Sequence, residues 1–149
     1  MTGTQKLTTV TEDVMSRDIK AFHEKFGLDF PKSPSRLSPE MSKFRVKFMK
    51  EELDEYIKAT DDEDLPGQFD ALLDLAYVVM GTAYLHGFPW LAGWQEVQRA
   101  NISKERATSA SQSKRGSSFD VIKPPGWTPP DIEGIIERAA KQNGSEWFM

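Results

Sequence analysis

The stretch Asp70-Ala-Leu-Leu-Asp-Leu-Ala-Tyr-Val-Val-Met-Gly81 decides the fold of this chain. It lies in a predicted helix over residues 68–86, whose only ionisable side chains besides two tyrosines are Asp70, Asp74 and His86. A helix that is apolar on most of its faces is usually buried at the centre of a helical bundle. The stretch therefore predicts the central helix of an all-α protein.

Four further helices are predicted around this central one. Ser38 is a suitable N-cap for a helix that begins at Pro39, because Pro is favoured in the first turn. Gly27 and Gly87 mark helix ends, and Pro89 marks a helix start. No stretch shows the sustained alternation of a β-strand. The expected fold is an all-α bundle of four to five helices, with helices over residues 14–26, 39–59, 68–86, 89–104 and 131–142.

The segments between the helices are polar or rich in proline. Residues 60–67 are expected to form a turn that joins two antiparallel helices. Residues 105–130 are expected to form a mobile loop, Ser-rich and basic in its first part and Pro-rich in its second. Residues 1–12 are expected to be a flexible N-terminus. A chain of 149 residues suits one domain, so residues 1–149 are interpreted as a single domain.

Composition excludes several classes of function. The formal net charge is −4, whereas a protein that wraps duplex nucleic acid normally carries a basic excess. The absence of cysteine excludes disulfide scaffolds, thiolate zinc sites and cysteine nucleophiles. No signal peptide is recognisable, and the longest apolar stretch is interrupted by Asp74 and too short for a membrane span. We expect a cytoplasmic protein with no membrane or duplex nucleic-acid partner.

Two pairs of acidic residues, one pair on each of two adjacent helices, face each other in the predicted fold. Asp70 and Asp74 are four residues apart and share one face of the apolar helix, where a buried carboxylate needs a partner. Counting about 1.5 Å per residue from the 60–67 turn places Glu55 level with Asp70, and Glu52 level with Asp74. Across about 8–10 Å between helix axes, the four carboxylates can reach a shared ion. The acidic residues of the preceding helix taken alone would indicate only a solvated face.

This cluster predicts a metal site. Each close pair of carboxylates costs about 1–4 kcal/mol at surface-like dielectric, so the group favours a bound cation. Ligands that are all oxygen suit Mg²⁺, Mn²⁺ or Ca²⁺, and the spacing of an EF-hand loop is absent. Mg²⁺ commonly completes its coordination with substrate phosphates. We therefore predict Mg²⁺, with Mn²⁺ as a substitute, held by Glu52, Glu55, Asp70 and Asp74.

At these residues the sequence resembles the MazG-like superfamily of all-α nucleoside triphosphate pyrophosphohydrolases. The superfamily includes phosphoribosyl-ATP pyrophosphohydrolases and dimeric dUTPases. Its first motif, EExxE, is matched by Glu51, Glu52 and Glu55. Its second motif, ExxD, is matched at Asp74 but has Ala71 where the Glu is expected, and Asp70 is interpreted as the substitute. The resemblance extends to the residues numbered 70–81, 100–104 and 123–127.

The resemblance implies an enzyme that cleaves a nucleotide between its α and β phosphates. It also implies a homodimer or higher homo-oligomer. Glu51, beside the cluster, is the candidate to orient the attacking water or take its proton. Asn101, Lys104, Lys123 and Trp127 are the candidate substrate-binding residues, with Trp127 stacking on the base. Structural alternatives stay open: Glu51 as a solvated residue, Asn101 and Lys104 as helix caps, and Trp127 as an anchor in the core.

Other interpretations of the whole chain remain. A narrower phosphoribosyl-ATP or dUTP hydrolase is one, and a catalytically inactive helical protein that binds a regulatory partner is another.

The segment 105–130 is expected to form a lid or wall over the nucleotide, with its prolines limiting the entropy lost on closure. Arg45 and Lys47 precede the acidic motif. They could reach phosphates, but the favoured interpretation is a solvated basic face.

Overall fold

The computed structural model describes residues 13–142 and confirms the all-α class. The predicted flexible N-terminus, residues 1–12, lies outside the described residues. This described part of the chain contains five α-helices: α1 (Val14–Lys25), α2 (Pro39–Asp61), α3 (Leu65–His86), α4 (Trp90–Ile102) and α5 (Ile132–Ala140). Between α4 and α5 lie two short strands, β1 (Glu105–Arg106) and β2 (Val121–Ile122), and a single 3₁₀ turn at Ala110–Gln112.

The turn between α2 and α3 is much shorter than predicted. It comprises residues 62–64 rather than 60–67, because α3 begins at Leu65. The Asp64 carboxylate accepts a hydrogen bond from the Gly67 N–H at 3.0 Å, and Pro66 occupies the first turn of the helix. An Asp N-cap followed by Pro is a favourable helix start, so the Pro-Gly pair that suggested a turn lies within the helix. The predicted cap at Ser38 is confirmed by its 3.1 Å bond from the Met41 N–H.

The helical hairpin formed by α2 and α3 is the most extensive packing unit of the chain. Helix α1 packs against α3, and α4 links α3 to α5. The main core cluster lies around the second half of α3, where Met80, Ala83 and Tyr84 pack with Ile19 of α1. Partly buried aromatic residues of the flanking connections and of the first turn of α4 pack against this cluster: Phe30, Phe88 and Trp90.

The first half of α3 is not buried as predicted. Phe69 is 66% exposed, Leu73 is 54% exposed, and Leu65 at the helix start is 74% exposed. In a single copy of the chain, the prediction of a buried central helix holds for the second half of α3 and is wrong for the first half. The main core cluster, in which Ile19 of α1 and Trp90 of α4 pack with α3, lies at the second half of α3 and leaves these apolar side chains of the first half exposed.

The segment 105–130 contains more regular structure than the predicted loop. Strands β1 and β2 pair in antiparallel register, with Glu105 opposite Ile122 and Arg106 opposite Val121. The Ala107 N–H extends the ribbon by donating to the Asp120 carbonyl at 3.0 Å. Strands of two residues are too short to produce a visible alternation of apolar and polar residues, so sequence periodicity did not indicate them.

No single helix within residues 13–142 has the length and apolarity needed to cross a membrane. Helices α3 and α4 satisfy that test only as a pair, and they are bent by 118° at their junction.

His23 is a buried histidine that is expected to make stability depend on pH. It is 2% exposed, its Nδ1 bonds to the Ile19 carbonyl at 2.7 Å, and no partner for its Nε2 is found among the described residues. Burial is the main reason that its pKa is lowered, and the positive charge of Arg45 lowers it further, against the effect of the Ile19 bond. The neutral ring is therefore the form that the fold favours.

Because the folded pKa of His23 lies below its unfolded value near 6.5, its contribution is fully present above that pH. As pH falls below 6.5, stability is expected to drop by up to about 1.4 kcal/mol per unit until the folded pKa is reached. Urea unfolding at pH 8.0, 6.5 and 5.5 measures this slope. His23→Gln is expected to remove it, whereas His86→Gln, at the only other histidine, is the matched control. An equal slope in wild type and His23→Gln would refute the assignment.

Candidate metal centre

Three acidic side chains of the α2–α3 hairpin converge on one point. Glu52 and Glu55 lie one turn apart on α2, and Asp74 lies on α3. One carboxylate oxygen from each lies within 4.8 Å of the other two. Two oxygens bound to the same Mg²⁺ are at most about 4.2 Å apart, twice the usual Mg–O distance. Small side-chain rotations are therefore enough to place all three around one ion.

Contacts near the turn bring these helices together. Ala59 of α2 is buried, and its methyl group lies 3.3 Å from the position that a Cβ on Gly67 of α3 would occupy. The Gln68 side chain donates to Thr60 Oγ1 at 3.0 Å. Small residues permit close helix approach, so the carboxylates one to two turns further along can meet across the interface.

Glu52 is the most constrained of the three acids. Its side chain is half-buried, and Oε2 is inaccessible to solvent without a hydrogen-bond donor among the described residues. Burial raises the pKa of Glu52, and the carboxylates of Glu55 and Asp74 raise it further. A buried oxygen without a donor is costly, and a bound cation would satisfy it while neutralising the cluster. The residues present therefore fit a hard divalent cation.

A second group of predicted residues meets at the end of α4. The Trp127 indole Nε1–H donates to the Ala100 carbonyl at 2.7 Å, which holds the half-buried ring against the helix. The ammonium of Lys123 lies 4.8 Å from the centre of that ring, and the ammonium of Lys104 lies 5.4 Å from it. Asn101 lies exposed in the last turn of the same helix. Cations at such distances are attracted to the face of a Trp ring.

The backbone explains how Lys123 and Trp127 come together. The Trp127 N–H donates to the Pro124 carbonyl at 3.1 Å, closing a turn in which Gly126 has a φ of +80°. A type II turn requires a positive φ at this third position, which glycine adopts without strain. Beyond the turn, Arg99 of α4 donates to the carbonyls of Thr128 and Pro129, so the Pro-rich segment is fastened along α4.

Lys104 and Lys123 also line a cavity of about 680 Å³ beside the β1–β2 ribbon. Lys114 and Arg115 line it as well, and the sequence analysis had not assigned either to the site. Arg115 is paired: its Nη1 donates to both carboxylate oxygens of Asp120 at 2.9 Å. Together with bonds from Ser113 and the Val121 N–H, this lowers the pKa of Asp120 to about 2, with the Ser113 bond contributing most. The three lysines form no ion pair within residues 13–142.

Comparison with known proteins identifies the family of the hairpin that carries the acids. The family model of phosphoribosyl-ATP pyrophosphohydrolase matches residues 19–101, which is more than half of the chain and runs from the middle of α1 to the last turn of α4. The chain belongs to the phosphoribosyl-ATP pyrophosphohydrolase family. That family is part of the MazG-like all-α superfamily, so the resemblance found in the sequence is confirmed. No curated protein matches the chain.

Membership of the phosphoribosyl-ATP pyrophosphohydrolase family makes this chain a member of a class of hydrolases that act on nucleotides. The match includes the acidic cluster and Asn101 but ends before Lys104, Lys123 and Trp127. The cluster and the lysine group lie on different elements, and no hydrogen bond or ion pair among the described residues joins them. The roles of all these residues remain predictions.

Asp70, predicted as a metal ligand, and Glu51, predicted as the catalytic residue, lie outside the cluster. Asp70 is exposed and does not join the group whose oxygens meet. Ala71, at the position where the family pattern has Glu, is buried in α3. Glu51 is exposed and lies 3.9 Å from the Lys47 ammonium, along a groove lined by side chains of α2. Its charge still raises the pKa of Glu52, although less than the other acids do.

Proposed function

We propose that this protein is a Mg²⁺-dependent pyrophosphohydrolase that converts a nucleoside triphosphate into a nucleoside monophosphate and pyrophosphate. The observation that supports it best is the convergence of Glu52, Glu55 and Asp74 within a member of a pyrophosphohydrolase family. Mn²⁺ is expected to replace Mg²⁺, since both prefer oxygen ligands.

The chain's own residues account for binding and proton transfer in this proposal. When bound, Mg²⁺ polarises phosphate oxygens and lowers the pKa of a coordinated water. Water attacks the α phosphorus, the bond to the bridging oxygen breaks, and pyrophosphate leaves with that electron pair. Glu51 orients the water and takes its proton. Lys104 and Lys123 neutralise phosphate charge, Asn101 contacts the sugar or phosphates, and Trp127 holds both lysines under its ring.

The proposal includes a homodimer or higher homo-oligomer. Apolar side chains that α3 leaves exposed within one chain, among them Phe69, Leu72 and Leu73, provide a surface for a second copy. An apolar groove of about 600 Å³ between α1, α3 and α4 extends this surface and is lined by Leu75, Val79 and Trp94. In such an assembly the segment 105–130 of one copy can reach the acidic cluster of its neighbour. Light scattering measures the mass of the protein in solution and so tests whether it forms a homodimer or a higher homo-oligomer.

A narrower substrate is the second candidate. The family model that matches is that of phosphoribosyl-ATP pyrophosphohydrolase, so phosphoribosyl-ATP is a candidate beside ordinary nucleoside triphosphates and dUTP. All three carry the same triphosphate and would be cut at the same bond. Tight Mg²⁺ binding without turnover of any of them would instead favour the catalytically inactive regulatory protein.

The bond that is cleaved can be tested directly. Incubation with Mg²⁺ and each candidate nucleotide in ¹⁸O-water, followed by chromatography and mass spectrometry, is expected to yield monophosphate plus pyrophosphate. The label is expected in the monophosphate because the α phosphorus is attacked. Label in pyrophosphate would show attack at the β phosphorus, and diphosphate plus labelled orthophosphate would contradict the proposed reaction.

A further inference from the structure

Arg45 is a buried cation without an acidic partner. It is 7% exposed, although the sequence pattern indicated a solvated position. It forms no ion pair within residues 13–142, and burial lowers the pKa of its guanidinium. Burying an unpaired charge is costly, and a well-packed apolar residue is often at least as stabilising there. The position of this side chain therefore needs another explanation.

The hydrogen bonds of Arg45 all lead to α3. Its Nε donates to Thr82 Oγ1 at 3.0 Å, and its Nη2 donates to the Val78 carbonyl at 2.9 Å. Thr82 Oγ1 itself donates to the same Val78 carbonyl at 2.7 Å. A planar fork with donors in fixed directions suits two acceptors at set positions better than a flexible ammonium does. Arg45 thus joins one turn of α2 to one turn of α3.

Helix α3 has a matching space for this side chain. At Gly81 an added Cβ would lie 2.9 Å from Arg45 Nη2 and 3.1 Å from His23 Cε1. A contact under 3.0 Å would displace the guanidinium end from the Val78 carbonyl. Glycine in a helix costs about 1 kcal/mol relative to Ala, so the fold accepts a local loss that keeps this space open.

Glu52 lies on the same face of α2 as Arg45, and Asp74 lies on the same face of α3 as Val78. Arg45 precedes Glu52 by seven residues, which is about two turns or 10 Å along α2. Val78 follows Asp74 by four residues, which is about 6 Å along α3. Because the helices are antiparallel, both steps lead away from the turn. The cluster therefore lies between two sets of hydrogen bonds that join α2 to α3: the Thr60–Gln68 bond near the turn and the Arg45 bonds further from it.

We propose that Arg45 is a positioning residue that sets the register of α2 against α3 and thereby aligns Glu52 with Asp74 for a divalent cation. A slip of one helical turn would shift these carboxylates by about 5.4 Å, which exceeds the 4.8 Å within which the cluster now lies. This inference rests on the proposed function only in that the cluster binds a divalent cation.

Electron paramagnetic resonance measures Mn²⁺ binding to the full chain in the absence of substrate. This measurement tests the inference independently of turnover. Arg45→Met is expected to weaken Mn²⁺ binding about tenfold, similar to the loss of a supporting residue around a metal site, and to leave helical circular dichroism unchanged. Lys43→Met, an exposed cation on the same helix, is the matched control and is expected to bind as wild type does.

Thr82→Val provides a variant of nearly the same shape that removes one acceptor of Arg45. It is expected to weaken Mn²⁺ binding about threefold, and the double variant Arg45→Met with Thr82→Val is expected to bind like Arg45→Met alone, because the two residues act together. Wild-type Mn²⁺ affinity in Arg45→Met, or a double variant that shows the full sum of the two single losses, would overturn the positioning role. If Glu52→Gln leaves Mn²⁺ binding unchanged, the metal site itself is wrong, which is a separate outcome.

Discussion

Asp74→Asn is expected to lower kcat about a thousandfold, on the scale seen when a group that stabilises charge is removed from an active site. The amide has nearly the shape of the carboxylate but lacks its negative charge, so two of the three converging acids remain to hold the cation. Asp74 is exposed and does not contribute to the core, so the helical circular dichroism and the melting temperature are expected to stay close to wild type.

Asp70→Asn is the matched control for this experiment. It makes the same chemical change on the same face of α3, one turn earlier, at a residue that the structure leaves outside the cluster. A loss of activity as large as that of Asp74→Asn would show that Asp70 is a ligand after all, as the sequence analysis predicted. Wild-type turnover in Asp74→Asn would remove the metal assignment altogether.

Trp127→Ala is expected to raise KM about ten- to hundredfold, with a smaller effect on kcat. The ring attracts the ammonium groups of Lys104 and Lys123, and losing two cation–π contacts of about 0.5–2 kcal/mol each leaves both lysines less well placed for phosphate. The Nε1–H bond to the Ala100 carbonyl is lost as well, so a moderate decrease in melting temperature is also expected.

Two comparisons separate a role at the site from a purely structural one. Trp127→Phe keeps an aromatic face for the lysines and lacks only the indole donor, so it is expected to retain most of the affinity for substrate. Phe26→Ala removes an exposed aromatic side chain just after α1, an element that carries none of the candidate site residues, and is expected to leave KM unchanged. An unchanged KM in Trp127→Ala alongside a large drop in stability would confine Trp127 to a structural role.

Much of the helical framework could be predicted because its signals are local. Ser38 and Pro39 specify the start of α2 through one side-chain cap and a fixed φ, which depend only on neighbouring residues. The alignment of Glu52 with Asp74 followed from the constant rise of a helix and a short connection. Residues were counted outward from the turn along both helices. The turn is shorter than predicted, but both helices extend into it by a similar length, so Glu52 still lies level with Asp74.

The same locality explains the predictions that failed. The Pro-Gly pair in α3 gives the signal of a turn, and only the Asp64 cap showed that the helix begins before it. The ribbon of β1 and β2 depends on pairing across a long connection that no short window of sequence contains. The assignment of Asp70 as a ligand stays a prediction. Asp70 shares a helix face with Asp74, but the approach of α2, which periodicity does not describe, brings together only Asp74, Glu52 and Glu55 among the described residues.

The sequence by itself determined the all-α class, the start of α2 at the Ser38 cap, and the acidic motif that leads to a pyrophosphohydrolase family. These depend on spacing along the chain, which the backbone geometry of a helix converts directly into position. Only the tertiary structure decided that Arg45 is buried against Thr82 and Val78, and that Lys104, Lys123 and Trp127 meet. Burial and convergence depend on which surfaces pack against each other, and a charged residue has the same sequence pattern on a solvated face as in an interface.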